Sequence, residues 1–202
     1  MREAFIEHFI PSHALMHRRQ SYLLNTSMNQ STSLYLSALR QVDWQDFDKF
    51  IYPTQDSKKW LLEQGSLSRL LQTYCQTLSV DLLHNKLVKA EKLNEQEINL
   101  LQCEPCLLRK VVLKGDNCPW VLGRTLIPQS SMEDQQFDLS RQGDTPLGLT
   151  VFSANDVMRD ALQVGWAKTT EGDFLARRSR LWMNQKPMLV AELFLPNSPI
   201  YT

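Results

Sequence analysis

Two pairs of strand-like segments, each joined by a short connection, constrain the fold of this chain more than any other feature. Cys106 to Leu113 and Trp120 to Ile127 are separated by a segment that contains the turn residues 115–117. Leu175 to Met183 and Met188 to Leu195 are separated by only four residues. Such short connections join antiparallel neighbours, because a parallel pair needs a long crossover. The C-terminal half therefore predicts an antiparallel sheet.

Helical patterns precede the first strand pair. Three apolar stripes have helical spacing, and they comprise Leu36, Leu39 and Val42; Trp44, Phe47 and Ile51; and Leu67, Leu70, Leu71 and Tyr74. Ser66 precedes the third stripe and is a typical N-cap residue. A further helix is predicted where Ser153 and Asp156 precede an apolar segment that ends at Gly165. Helices followed by hairpins predict an α+β fold, with helices covering one face of an antiparallel sheet.

Chain length and N-terminal composition predict the domain organisation. A chain of 202 residues suits one domain with a full core better than two. Residues 1–33 include the polar run Asn25 to Ser33, which buries too little apolar surface to offset the entropy of ordering. We therefore expect residues 1–33 to form an irregular extension and residues 34–202 to form a single domain. Met28, within the extension, is an alternative start of the protein.

The charge balance and hydropathy argue against nucleic-acid binding, membrane insertion and secretion. Because 22 basic residues balance 22 acidic ones, the chain lacks the cationic excess with which proteins grip a nucleic-acid backbone. No stretch approaches the roughly 20 apolar residues that span a bilayer, and the N-terminus has no uninterrupted apolar core of a secretory signal. We expect a cytoplasmic protein with no nucleic-acid partner and no integral membrane segment.

Cysteine and histidine spacing does not predict a metal site. Cys103 and Cys106 form a CxxC pair, but a zinc ribbon needs a second such pair. His13 and His17 have the spacing of a helical metal pair, but Ala14 stands where a zinc protease carries its glutamate. The sequence also has no phosphate-binding Gly-rich motif and no GxSxG motif, which argues against kinases, dehydrogenases and serine hydrolases.

Glu192 is the first candidate for chemistry, because it is the only charged residue in the predicted strand Met188 to Leu195. Both faces of that strand are apolar, so a carboxylate there is costly unless a cation or hydrogen-bond donors meet it. Such groups are often functional, and the alternative is an architectural ion pair. Arg109 and Lys110 on opposite faces of the first hairpin are candidate cations. Arg109 is favoured, because its planar guanidinium forms two parallel hydrogen bonds with a carboxylate.

The roles of three further arginines stay open. Arg124 lies among apolar residues of the first hairpin, where an edge or solvent position explains it equally well. Arg178 and Arg180 share one strand face, which is typical of a solvated surface, although a substrate with a second carboxylate could use it. Residues 143–148 include two glycines and a proline that fix the path of a loop, so we expect this loop to contribute shape.

Several segments resemble, in order, those of the chorismate pyruvate-lyase family. They are residues 60–67 (WLLEQGSL), 107–109 (LLR), 119–125 (PWVLGRT), 145–148 (TPLG), 177–181 (RRSRL), 186–187 (KP), 192–196 (ELFLP) and 198–201 (SPIY). Each motif is unspecific by itself, and their common order carries the resemblance. It covers residues 56–201 well and residues 34–55 weakly.

The resemblance implies an antiparallel sheet with helical flaps over an internal ligand pocket, in a monomer without metal or organic cofactor. It implies a lyase that removes pyruvate from chorismate to give 4-hydroxybenzoate, the first committed step of bacterial ubiquinone biosynthesis. In the family an arginine holds the ring carboxylate of the product, a glutamate meets its hydroxyl, and apolar residues close over the ring. The matching positions are Arg109, Glu192, Leu147 and Leu67, of which Leu67 departs from the expected methionine.

An alternative interpretation keeps the fold and changes the function. The effector-binding domains of some bacterial transcription regulators share this fold and bind small molecules without reaction. Residues 1–33 are irregular and not basic, so they do not predict a winged helix-turn-helix that reads DNA. We therefore favour the enzyme over the effector-binding domain.

Overall fold

The computed structural model describes residues 31–133, 139–154 and 156–202. Within these ranges, seven strands form one antiparallel sheet with short helices around it. The predicted extension, residues 1–33, lies almost entirely outside the described residues, as do His13, His17 and Met28; residues 31–33 belong to the first helix. No helix of the described segments is long and apolar enough to cross a membrane.

The elements follow one another in a mixed order. The helices are α1 (31–40), α2 (Gln55–Leu61), α3 (Leu67–Gln72), α4 (Glu95–Leu101), α5 (Gln129–Met132) and α6 (Leu147–Val151). The strands are β1 (Gln45–Asp46), β2 (Leu78–Val88), β3 (Cys106–Gly115), β4 (Cys118–Pro128), β5 (Val157–Thr169), β6 (Gly172–Met183) and β7 (Lys186–Phe194). Single 3₁₀ turns lie at Ala90–Lys92, Leu139–Arg141 and Pro199–Tyr201. The strand order is β1-β5-β6-β7-β4-β3-β2, antiparallel throughout.

Both predicted hairpins are confirmed, and each turns through two residues. Asp116 and Asn117 connect β3 to β4, and Asn184 and Gln185 connect β6 to β7. All four residues have positive φ, between 48° and 66°. Two-residue turns of this kind match the twist of the strands and fix the register of the hairpin. The second connection is therefore two residues shorter than predicted, and the register of β6 against β7 follows from it.

The helix predicted between Ser153 and Gly165 is wrong, because that segment enters β5. The pairing of β5 with β6 shifts register between Asp160 and Gln163, and Ala161 in this bulge has φ of 46°. Extra residues in a bulge interrupt the two-residue alternation of a strand. The apolar residues on either side of the bulge consequently have a spacing that imitates a helix.

The helix predicted from Trp44, Phe47 and Ile51 is also wrong. Residues 45–46 form the short edge strand β1, and turns follow. Phe47 is 47% exposed and Ile51 is 88% exposed, so neither side chain joins a buried stripe. The first and third stripes are confirmed as α1 and α3, and the Ser66 side chain caps α3 by accepting a hydrogen bond from the Arg69 amide.

Helices pack on both faces of the sheet. The front face is the one covered by α2, α3 and α6, whose buried side chains pack on residues such as Leu113, Val121, Phe194 and Ile127. The back face is the opposite one, where α1 packs on Leu122 and Leu193 and α4 packs on Leu126 and Leu189. The predicted α+β sheet with a helical layer is confirmed, and α1 and α4 add a second layer.

All three unassigned arginines bond to α4 in this second layer, Arg180 through a hydrogen bond from Nη1 to the carbonyl of Leu100 at 3.0 Å. Arg124 is 6% exposed and forms a buried ion pair with Glu97 of α4, with 2.5 Å between Arg124 Nη1 and Glu97 Oε1. Arg178 is 5% exposed and donates hydrogen bonds to the side chains of Gln163 and Gln96. The prediction of a solvated face is thus wrong for Arg178, since α4 covers it.

Candidate functional site

A cavity lies between the front face of the sheet and the short helices α3 and α6. Its lining combines many apolar side chains with a few polar ones: Leu67, Ser68, Val111, Leu113, Val121, Gly123, Thr125, Leu147, Gly148, Val151, Phe152, Arg159, Leu181, Val190 and Glu192. Within the described part of the chain, Arg159 and Glu192 are its only charged lining residues. An apolar cavity with a few converging polar groups is typical of a small-molecule site.

The floor of the cavity is built from two adjacent cross-strand rows. The first row is Arg109, Thr125, Val190 and Ser179, and the second is Val111, Gly123, Glu192 and Arg177, in the order β3, β4, β7, β6. Neighbouring strands lie about 4.8 Å apart, so the Cα atoms of Arg109 and Ser179 are on the order of 14 Å apart.

Arg177 positions Glu192. The two residues face each other across β6 and β7, and Arg177 Nε donates to Glu192 Oε2 at 2.5 Å. Arg177 is completely buried, and its Nη1 also donates to the carbonyls of Trp60 and Glu63 at 3.1 and 3.0 Å. The Glu192 side chain stays 13% exposed and lines the cavity. The partly buried carboxylate therefore lines the cavity while Arg177 holds it from the neighbouring strand.

The sequence favoured Arg109 as the cation that meets Glu192, and the structure corrects this pairing. Arg109 stands in the other row, on β3, and Glu192 is held by Arg177 instead. Arg177 was missed because it belongs to an arginine run that is typical of a solvated strand face. The register of the two-residue turn at 184–185, which pairs position 177 with position 192, is the signal that identifies it.

Arg109 is a buried cation with free donors. Its side chain is 1% exposed, and Nη2 donates to the carbonyl of Thr145 at 3.0 Å. Its Nε and Nη1 find no acceptor within residues 31–133, 139–154 and 156–202. Burial lowers its pKa, and the nearby Asp144 charge opposes that shift. Arg109 lies beside the lining residues Val111 and Thr125, so its free donors fit an anionic group in the cavity.

Arg159 reaches the cavity from β5 at the opposite end of the first row. It donates to the hydroxyl of Ser179, and its Nε and Nη2 donate to the carbonyls of Gln64 and Gly65 at 3.2 and 3.1 Å. Burial, and then the charge of Arg177, lower its pKa to about 10, while Glu192 and Glu63 oppose the shift. Arg159 therefore remains charged at neutral pH.

The helices α3 and α6 form the roof and touch each other closely. A Cβ added to Gly148 would lie 2.9 Å from Ser66 Oγ and 3.1 Å from Ser68 Oγ, so only glycine permits this approach. Arg69 of α3 adds a hydrogen bond from Nη2 to the carbonyl of Phe152 at 3.1 Å. Leu67 of α3 and Leu147 of α6 both line the cavity, and we call these two helices its flaps.

The sequence model described as chorismate lyase matches residues 38–202. The chain belongs to the chorismate lyase family. A relative from Vibrio parahaemolyticus named "Probable chorismate pyruvate-lyase" is 62% identical over 174 residues, which are 86% of this chain and 97% of that protein. The "Chorismate pyruvate-lyase" of Hamiltonella defensa is 35% identical over 165 residues, or 82% of this chain and 91% of that protein.

One solved structure to which the chain is similar is the effector domain of PhnF from Mycobacterium smegmatis. It has a TM-score of 0.46 and 12% identity, and it covers 67% of this chain and 91% of that chain.

In this member of the chorismate lyase family, the residues predicted for the site fall in one region. Leu67, Leu147 and Glu192 line the cavity, and Arg109 is buried beside it in the same face of the sheet. The structure adds Arg159, which the sequence did not single out because its segment imitates a helix.

Proposed function

We propose that this protein is a chorismate pyruvate-lyase, which converts chorismate into 4-hydroxybenzoate and pyruvate. The observation that carries the proposal is one lidded cavity with a buried, incompletely bonded arginine near one end and a carboxylate toward the other. This arrangement suits an elongated aromatic product with a carboxylate at one end and a hydroxyl at the other. Membership of the chorismate lyase family selects that product among such molecules.

The reaction is an elimination that makes the ring aromatic. The ether bond between the ring and the enolpyruvyl group breaks, and the departing enolpyruvate becomes pyruvate when its methylene carbon takes up a proton. A proton leaves the ring carbon that bears the hydroxyl, so protons and electrons balance without an oxidant. Aromatisation supplies most of the driving force. The protein therefore needs chiefly to hold a dianion, exclude water and assist proton movement.

Each predicted residue has a role in this scheme. Arg109 binds the ring carboxylate through Nε and Nη1, which lack acceptors in the described chain. Glu192 meets the hydroxyl end of the ring, where it orients the substrate or takes part in proton transfer. Arg177 holds Glu192 in position. Leu67 and Leu147 close over the ring from the two flaps.

We also propose an oligomeric state, a cellular compartment and a pathway for this protein. We propose that the protein acts as a monomer, because elements of one chain supply the floor, the roof and the charged groups of the cavity. The four cysteines of the chain are free, which suits the reducing cytoplasm. The product 4-hydroxybenzoate places the reaction at the first committed step of ubiquinone biosynthesis.

The direct test is turnover. Purified protein incubated with chorismate is expected to release 4-hydroxybenzoate and pyruvate in equal amounts, at a rate proportional to protein concentration. A reaction without protein controls for the spontaneous decay of chorismate. Saturable binding of chorismate without release of either product would contradict the proposal and favour a non-catalytic effector-binding domain.

Gly148→Ala tests the contact between the flaps. The added methyl group pushes α6 away from Ser66 and Ser68, and overpacking of this kind costs about 1–3 kcal/mol. We expect the Kd of 4-hydroxybenzoate, measured by calorimetry, to rise about tenfold, which corresponds to roughly 1.4 kcal/mol.

Leu149→Ala is the matched control for this prediction, since Leu149 lies in the same helix but does not line the cavity. Its Kd is expected to stay close to that of the unaltered protein. Unchanged affinity in Gly148→Ala would show that closure of the two flaps does not contribute to product binding.

A further inference from the structure

The charged groups in and beside the cavity carry more positive than negative charge. Glu192 neutralises Arg177, but Arg109 and Arg159 form no ion pair with a carboxylate in the described residues. Glu63 and Asp144 influence these arginines only through space, and neither lines the cavity. The site therefore carries two positive charges without a contacting counter-charge. A ligand with two negative charges matches this excess.

The hydrogen bonds of Arg159 all go to neutral acceptors, and its guanidinium also lies over the ring of Phe152, 5.8 Å from the centroid. Its partners are the carbonyls of Gln64 and Gly65 and the hydroxyl of Ser179, each through a different nitrogen. A guanidinium carries five N–H groups, so two donors remain after these three bonds. The side chain lines the cavity, whereas the fully buried Arg177 does not. A partly buried cation with spare donors at a cavity wall is suited to a ligand that supplies the opposite charge.

Arg159 and Arg109 lie at opposite ends of the first cross-strand row. Arg109 begins the first cross-strand row on β3, and Arg159 donates to Ser179, which ends that row on β6. Three strand spacings lie between the two ends of the row, or about 14 Å between Cα atoms. The two guanidinium groups thus approach the cavity from opposite sides. Glu192, in the adjacent row, lies nearer to the end of Arg159, because β7 is next to β6 and two strands away from β3.

We propose that Arg159 forms a second anionic subsite, which binds the carboxylate of the enolpyruvyl group of chorismate. This inference rests on the proposed function and deepens it. Chorismate carries one carboxylate on its ring and one on the enolpyruvyl group, so it engages both arginines. The product 4-hydroxybenzoate has only the ring carboxylate, so it engages Arg109 and leaves Arg159 without an anion. Arg159 consequently discriminates substrate from product.

If Arg159 had a purely structural role, its replacement would change the affinities of the two ligands in a different way. The bonds from Arg159 to Gln64 and Gly65 hold the connection that leads into α3, one of the flaps. If Arg159 only held this flap, its replacement would loosen the lid over any ligand. Chorismate and 4-hydroxybenzoate would then lose affinity by the same factor.

The test compares the two ligands in the variants Arg159→Met and Arg159→Lys. For Arg159→Met we expect kcat/KM for chorismate to fall on the order of 10- to 100-fold, as for one charge-assisted contact. The Kd of 4-hydroxybenzoate, measured by calorimetry, is expected to change less than about threefold. Arg159→Lys, which keeps the charge, is expected to retain a larger share of kcat/KM. It also keeps the test usable if Arg159→Met does not fold.

Arg69→Met is the matched control, because Arg69 ties α3 to Phe152 without lining the cavity. It is expected to shift both ligands equally or not at all. Equal losses for both ligands in the Arg159 variants, or no loss for either, would overturn the second subsite. Failure of the proposed function is a separate result, since the unaltered protein would then release no product. The Kd values of chorismate and 4-hydroxybenzoate would still test the subsite in that case.

Discussion

Arg109→Met is expected to weaken 4-hydroxybenzoate binding by about 1.5–3 kcal/mol, which is the usual range for hydrogen bonds to a charged group. The kcat/KM for chorismate is expected to fall at least as much. Arg109 is 1% exposed and has two nitrogens without an acceptor in the described chain. In its proposed role, the ring carboxylate of the ligand accepts hydrogen bonds from them. Calorimetry with 4-hydroxybenzoate and steady-state kinetics with chorismate measure the two losses.

The stability of this variant carries independent information. Methionine has a similar length, and it removes a buried charge together with its unsatisfied donors. The melting temperature of Arg109→Met is therefore expected to stay level or to rise, as happens when apolar residues replace buried ionic groups. Lys110→Met is the matched control, because Lys110 is the next residue of β3 and points to the back face. A destabilised Arg109→Met protein with unchanged ligand affinity would show that Arg109 is architectural.

Glu192→Gln is expected to have the largest effect on turnover. Glutamine keeps the shape and a hydrogen-bonding group but loses the capacity to accept a proton, and general acid–base groups contribute about 10²- to 10⁴-fold. We expect kcat to fall within this range while the Kd of 4-hydroxybenzoate changes much less. Stopped reactions analysed for pyruvate and 4-hydroxybenzoate give the rate.

This substitution also removes the charged partner of the fully buried Arg177. We therefore expect the free energy of unfolding to fall by up to roughly 3–5 kcal/mol, and the melting temperature to fall with it. Glu97→Gln provides a matched control, because Glu97 forms the corresponding buried pair with Arg124 on the back face. It is expected to lose stability and to keep its turnover per folded molecule. Equal turnover in the two variants would contradict a chemical role for Glu192.

The turns made most of the sheet predictable from the sequence. Asp116-Asn117 and the short connection after Met183 identified both hairpins, because so few residues cannot join parallel strands. The strand β5 was not predictable from periodicity, because the bulge at Ala161 interrupts the two-residue alternation of its side chains. The layer formed by α1 and α4 depends on packing across the back face, which no local pattern encodes.

The candidate site was predictable in part. Glu192 stands out as a single charge in an apolar strand, but alternation places Arg109 and Lys110 on opposite faces without showing which face carries the cavity. Leu67 and Leu147 followed from the family resemblance alone. The pairing of Arg177 with Glu192 could be predicted only if the register of the hairpin were known to within one residue. Arg159 could not be placed in the site from the sequence, because its segment was predicted as a helix and forms the strand β5.

A crystal structure of the protein with bound 4-hydroxybenzoate is the most direct test of the central claim, that this cavity is the active site. The ring is expected between the sheet and the roof residues Leu67 and Leu147, with its carboxylate on the guanidinium of Arg109 and its hydroxyl toward Glu192. Arg159 is expected to keep its bonds to Ser179 and Gly65 and to lack a contact with the product. A product molecule bound outside the cavity, or one with its carboxylate at the Glu192 end, would contradict the account.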